Sequence, residues 1–148
     1  MRDQRGAGVK YWVLRLFWRV ETTAALALGW LLVFLVPFRH TAALIGKTRQ
    51  SADAGPLPSD PAVLKRASFV TRRVDWLGDK MPFRTTCLVR AVAGWLLLTR
   101  RGIASTIRFG VAMENGKLAA HAWLIVHGES LLGGDVAEDY QPVADMGG

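Results

Sequence analysis

One cysteine, Cys87, stands in 148 residues, so no disulfide can form within the chain. A lone thiol and an opening segment without a cleavable secretory pattern suit a reducing compartment, and the cytoplasm is expected. Tyrosine is scarce, with two residues, and the three histidines are separated in sequence. One Cys and scattered His lack the spacing of a metal site, so neither a metal nor a cofactor is expected. Long basic runs are also absent, for no Lys/Arg stretch exceeds two. Without such runs, an aromatic platform, a helix-turn-helix or a zinc pattern, a nucleic-acid role is not supported.

Acid is scarce in the first three-quarters of the chain. Residues 1–50 hold eight basic and two acidic residues, residues 51–110 ten and four, and residues 111–148 one and six. A basic body of this kind attracts anionic lipid or an acidic partner protein. Scattered cations also serve simply as a solvated surface.

Apolar residues make up 51% of the chain, six of them tryptophan, which is ample for one core. Residues 1–9 are polar and expected to fray, and residues 10–148 form a single domain. Lys10 to Val36 has helical spacing at Tyr11, Leu14, Phe17, Trp18 and Glu21, with Arg15 and Arg19 as a basic stripe. From Ala24 the helix is apolar all round until Pro37 ends it. Residues 22–38 carry no charge over 17 positions, the lower edge of a bilayer span. Arg19 and Arg39 flank both ends, so orientation is not signalled. A buried core helix is the first reading, peripheral membrane contact the second and a true span the third.

Residues 47–61 are rich in proline and small polar residues, as an exposed loop is. Asp60 and Pro61 then form a cap and first turn, and Val63, Ala67, Val70, Val74 and Leu77 continue an amphipathic helix to about Gly78. Met81 to Thr86 is an extended approach, with Thr85 or Thr86 as N-cap. Cys87 to Arg101 is nearly all apolar and Gly102 sits at C′, which predicts a buried helix of about 22 Å. Ile103, Ile107, Phe109, Val111 and Met113 lean towards strand alternation. Asn115-Gly116 predicts a type I′ hairpin, Leu118–Val126 the returning strand, and Leu131-Leu132 a short third strand after a second turn at residues 127–130. Helices followed by an antiparallel meander make an α+β fold.

Cysteine attacks as the thiolate, a form favoured at helix N-termini and beside an imidazole. Cys87 lies at the first turn of a capped helix, whose unpaired N–H groups also suit an oxyanion. His121 lies mid-strand among small neighbours, on the same face as Trp123. An acid beyond it would fix the imidazole, with Asp135 after Gly133-Gly134 the first choice and Asp139 the second. Each also has a plain structural reading: an inert core thiol, a packed histidine and a turn-capping aspartate.

The stretches Pro82–Ala91, Leu97–Ile103, Ile107–Val111 and Ala120-His121-Ala122-Trp123, in this order, resemble the transglutaminase-like leader peptidases of lasso-peptide biosynthesis. Phe34-Leu35-Val36-Pro37-Phe38-Arg39 resembles that family's "LLPFR" segment after its first helix. The likeness spans residues 15–142. It implies a papain/transglutaminase-like fold, with N-terminal helices and a central Cys-bearing helix packed on an antiparallel sheet. It further implies a Cys87-His121-Asp135 mechanism that cuts a precursor peptide between leader and core, forming a thioester and freeing the core for a separate lasso cyclase. The first helix would then be part of the soluble domain. Some relatives carry an extra N-terminal domain that grips the leader, and this chain is too short for it, so a separate leader-recognition protein is expected. Many members also carry an acid soon after His-Ala-Trp, where this chain has Leu124-Ile125-Val126. Two other readings stand beside this one. One is a different acyl transferase or amidase on the same scaffold; the other is a non-enzymatic membrane or scaffold protein built on residues 10–38.

Overall fold

A computed structural model describes residues 4–46 and 60–147. Helix α1 runs Gln4–Phe34, beginning inside the segment expected to fray. It ends where Pro37 removes a backbone donor, and Pro37 then leads into a separate short helix, α2, Phe38–Ile45. Of the expected 47–61 loop, residues 47–59 lie outside the described residues. Helix α3, Pro61–Gly78, starts as its sequence dictates: the Asp60 carboxylate accepts from the Ala62 N–H, and Pro61 occupies the first turn.

Helix α4 is Cys87–Thr99, and its two ends are chemically distinct. At the N-terminus the Thr86 hydroxyl accepts from the Val89 N–H at 3.4 Å. At the C-terminus the Ile103 N–H reaches the Leu98 carbonyl and the Gly102 N–H the Thr99 carbonyl, both at 3.0 Å. That pair of bonds, with Gly102 at φ +67°, is a Schellman stop.

The sheet comprises β1 (Thr106–Glu114), β2 (Lys117–Val126), β3 (Glu129–Leu132) and β4 (Gln141–Gly147), in spatial order β3-β2-β1-β4 and antiparallel throughout. Asn115 and Gly116 take the positive φ angles that the hairpin demands. His127 and Gly128 repeat the device, so β3 starts at Glu129, earlier than expected. A 3-10 helix, Gly134–Asp139, follows β3. Strand β4, absent from the expected meander, turns back to the far side of β1. Its sequence hides it: Pro142 suits an edge strand and Asp145 breaks the apolar pattern. Asp145 is nonetheless buried, because Arg108 directly opposite forms two 2.8 Å bonds to its carboxylate.

Helix α4 lies between the sheet and the pair α1/α3. Leu26, Val74, Val92, Leu98, Ile107 and Leu124 are fully enclosed and form the heart of the core. Two glycines set the layer spacing. A Cβ on Gly29 would come within 2.9 Å of the Val89 carbonyl, and one on Gly94 within 2.8 Å of the Leu124 side chain. The α1 backbone therefore approaches α4, and the Leu124 side chain of β2 rests on the α4 backbone, more closely than any larger residue permits.

The first helix departs from the expected all-round burial. Thr22, Ala25, Leu26 and Gly29 form a buried stripe, whereas Leu28, Leu31 and Phe34 are exposed, as are Tyr11, Trp12, Leu14 and Phe17 before them. A helix laid across one side of a small domain has only one face to bury. By length and composition alone, Lys10–Phe34 is long and apolar enough to cross a membrane.

Candidate active site

The residues just before Cys87 are tied down by α3 and α4 together. Thr85 donates its hydroxyl to the Gly78 carbonyl at 2.9 Å and accepts from Arg90 at 3.2 Å. Arg90 also binds Asp75 and Asp79, each at 2.6 Å. Burial lowers the proton affinity of the Arg90 guanidinium, but hydrogen bonds to Asp79 and Asp75 outweigh this and hold its pKa above the usual value. Phe83 rests against Trp30 of α1, with ring centroids 6.1 Å apart. The approach loop is thus anchored at both flanks of the thiol.

Cys87 is a half-buried free thiol in the first turn of α4. The first amides of a helix lack intrahelical acceptors, and here only that of Val89 is taken by the Thr86 hydroxyl. Cys87 and His121 line one cavity of about 220 Å³, shared with Asp75, Thr85, Arg90 and Gly133. The helix and the sheet therefore bring thiol and imidazole to a common space.

His121 sits in β2 opposite Gly110. Strand β3 pairs with β2 only from Leu124 to Val126, so beside His121 the β2 edge is free to receive the chain that follows β3. Gly133 occupies that place. Its carbonyl lies 2.7 Å from His121 Nε2. A carbonyl only accepts, so Nε2 carries the proton and Nδ1 keeps the lone pair of the neutral ring. The ring is further held between Trp123, nearly parallel at 5.9 Å, and Tyr140 at 5.3 Å. Gly133 has φ +71°, and a Cβ there would meet the Ala122 carbonyl at 3.2 Å and His121 Nε2 at 3.4 Å. Glycine takes this backbone without strain, and a side chain there would be both strained and crowded.

Asp135 and Asp139, both on the 3-10 helix, are exposed and do not line the cavity. Among the described residues no hydrogen bond joins either to His121, since Nε2 is already engaged by Gly133 two residues before Asp135. The structure thus brings two of the three expected residues together, and a backbone carbonyl stands where a carboxylate was expected.

Tyr140 had no part in the sequence reading. Its hydroxyl donates to Glu114, which raises the phenol's pKa above its ordinary value; burial and the neighbouring Glu114, Cys87 and Asp139 charges add in the same direction. Arg90 was also overlooked, although it is the one charged residue in the helix Cys87–Thr99. Its isolation in an apolar helix three positions beyond the cysteine was the available signal.

No curated protein and no solved structure matches the chain. Residues 32–145, which contain Cys87, His121, Gly133 and Tyr140, match the family model described as the transglutaminase-like superfamily, and the chain belongs to that superfamily.

Proposed function

We propose that this protein is a cysteine endopeptidase that removes the leader from a ribosomally made lasso-peptide precursor. The carrying observation is the cavity shared by Cys87, on a capped helix N-terminus, and His121, whose Nε2 is spent on a carbonyl. A superfamily that includes cysteine proteases supports the chemistry. The Pro82–Ala91 and Ala120–Trp123 motifs support the leader-peptidase assignment within it.

In this reading His121 Nδ1 takes the Cys87 proton and the thiolate attacks the carbonyl carbon at the leader–core junction. The free amides at the start of α4 stabilise the oxyanion. As the C–N bond breaks, the imidazolium returns its proton to the leaving amine, which is the core's N-terminus. The leader remains on sulfur as a thioester. Water then gives one proton to His121 and its hydroxide to the acyl carbon; as the C–S bond breaks His121 passes that proton to sulfur, restoring the thiol, and the released leader acid loses its own proton to solvent. A leader-recognition protein delivers the precursor, and a cyclase consumes the freed core.

The test is cleavage of the precursor by wild type and Cys87→Ala, followed by mass spectrometry, with and without the leader-recognition protein. Cys87→Ala should produce no cleavage while its circular dichroism matches wild type. Retained cleavage would end the peptidase reading; equal wild-type rates with and without the partner would remove the delivery step.

A further inference from the structure

Helix α3 has a second functional-looking side, facing away from the thiol. There α3 and the first half of α1 enclose a cleft of about 270 Å³ lined by Arg15, Trp18, Arg19, Arg73 and Trp76. The guanidinium of Arg73 lies 4.7 Å from the Trp18 ring and 4.1 Å from the Phe69 ring. Arg19 lies 5.7 Å from the Trp76 ring, and the Lys80 ammonium 4.3 Å from the same ring. Among the described residues, Arg15, Arg19 and Arg73 have no carboxylate within ion-pair distance. Glu21 and Asp75, the nearest candidates by sequence, are held by Arg100 and Arg101 and by Arg90. Burial and then the Arg101 charge lower the pKa of Arg73, and the Glu21 charge, shared with Arg100 and Arg101, offsets them only in part.

A guanidinium resting on an aromatic face keeps its in-plane N–H donors free. Those donors match the two oxygens of a carboxylate, and the ring beneath limits the motion lost on binding. A concave cluster of such forks, on a body whose first 110 residues are strongly basic, complements a chain of acidic side chains. It suits a flat lipid surface less well, because the cations line a recess.

We propose that this cleft binds an acidic segment of the peptide substrate. The inference rests on the peptidase reading and extends it to a substrate class. Asp75 lines the cavity of Cys87 while its chain neighbour Trp76 lines the cleft, so the two sites flank the same helical turn. A helix is about 10 Å across and the peptide must pass around it, so about five extended residues would link the cleft to the scissile bond.

Binding is measured on the full chain carrying Cys87→Ala, by fluorescence anisotropy of a labelled octapeptide with four glutamates and of its glutamine counterpart. The glutamate peptide should bind about tenfold more tightly, and Arg15→Gln with Arg19→Gln should weaken it about tenfold, as loss of charge-assisted bonds requires. Arg66→Gln with Arg72→Gln removes equal charge from α3 positions that do not line the cleft and should change binding by less than about twofold, the scale of surface charge effects. Equal losses in the two pairs, or no preference for glutamate, would overturn the proposal. So would phosphatidylglycerol vesicles that bind in a manner sensitive to Arg15 and Arg19 while the peptide does not. No turnover enters this measurement. Failure of the peptidase reading shows separately, as precursor cleavage by Cys87→Ala.

Discussion

Replacing Gly133 by alanine tests whether a backbone carbonyl, rather than a carboxylate, sets the reactivity of Cys87. Gly133 has φ +71°, and an L-residue held in that left-handed region costs about 1–2 kcal/mol. For a domain of this size the melting temperature should fall by about 2–8 °C. The new Cβ would also press on the Ala122 carbonyl and on His121 Nε2, at 3.2 and 3.4 Å. Relieving that contact displaces the carbonyl that holds the Nε2 proton at 2.7 Å. A hydrogen bond to a charged group contributes about 1.5–3 kcal/mol, so losing its lower value disfavours the thiolate–imidazolium pair roughly tenfold. Alkylation of the single thiol by iodoacetamide at neutral pH should slow by about that factor. Gly102→Ala is the control. Gly102 has φ +67° but nothing within 4 Å of its would-be Cβ, and it caps the opposite end of α4. It should lose comparable thermal stability and keep the wild-type alkylation rate. Asp135→Asn should also keep that rate within about twofold, because an exposed carboxylate acts weakly through water. If Gly133→Ala alkylates like Gly102→Ala, or if Asp135→Asn slows the reaction tenfold, the carbonyl is not the orienting group.

Arg90→Lys should lower stability by about 1–2 kcal/mol, because an ammonium cannot span Asp75, Asp79 and Thr85 together. Both carboxylates are more than half exposed, so high salt should narrow the gap to wild type in thermal melts; a salt-independent gap would point to packing instead. Tyr140 offers a pH test. Its bond to Glu114 raises the phenol's pKa, so the stability from that proton is present below pH 10 and is lost as pH rises through the folded-state value. In ultraviolet titration, the component missing from Tyr140→Phe should ionise above pH 10, and Glu114→Gln should shift it downwards. A Tyr140 component at or below pH 10 in wild type would refute the assignment.

Local chemistry made much of the fold legible before any coordinates. Asp60-Pro61, Thr86 and Gly102 are terminal signals whose effect is confined to one helical turn, and each acts where its side chain or missing Cβ predicts. Asn115-Gly116 is equally local. Strand β4 was not legible, because its place depends on a partner distant in sequence. Asp145 looks like a surface residue until Arg108 is set opposite it, and only the sheet register does that. The exposed half of α1 was obscured for a related reason. An apolar run states that burial is favourable, but not how many faces the rest of the domain can cover.

The site divides along the same line. Cys87 and His121 drew notice in the sequence because a nucleophile and a base must be side chains of particular types, and the two line one cavity. The group that orients His121 carries no such signature, since every residue has a carbonyl. What marks Gly133 is conformation: a left-handed residue directly after β3, where the strand ends short of His121 and leaves the β2 edge open. Two adjacent glycines before an aspartate invite attention to the aspartate, yet the first glycine has the stricter requirement, because its φ is left-handed and a Cβ would crowd the Ala122 carbonyl beside the ring. The same logic applies to Arg90, whose three partners come from α3 and the approach loop. The setting of Cys87 and His121 thus depends on residues whose own chemistry is ordinary. Their contribution is position, and position is fixed by the turns at either end of α4 and β3 and by the strand that stops between them.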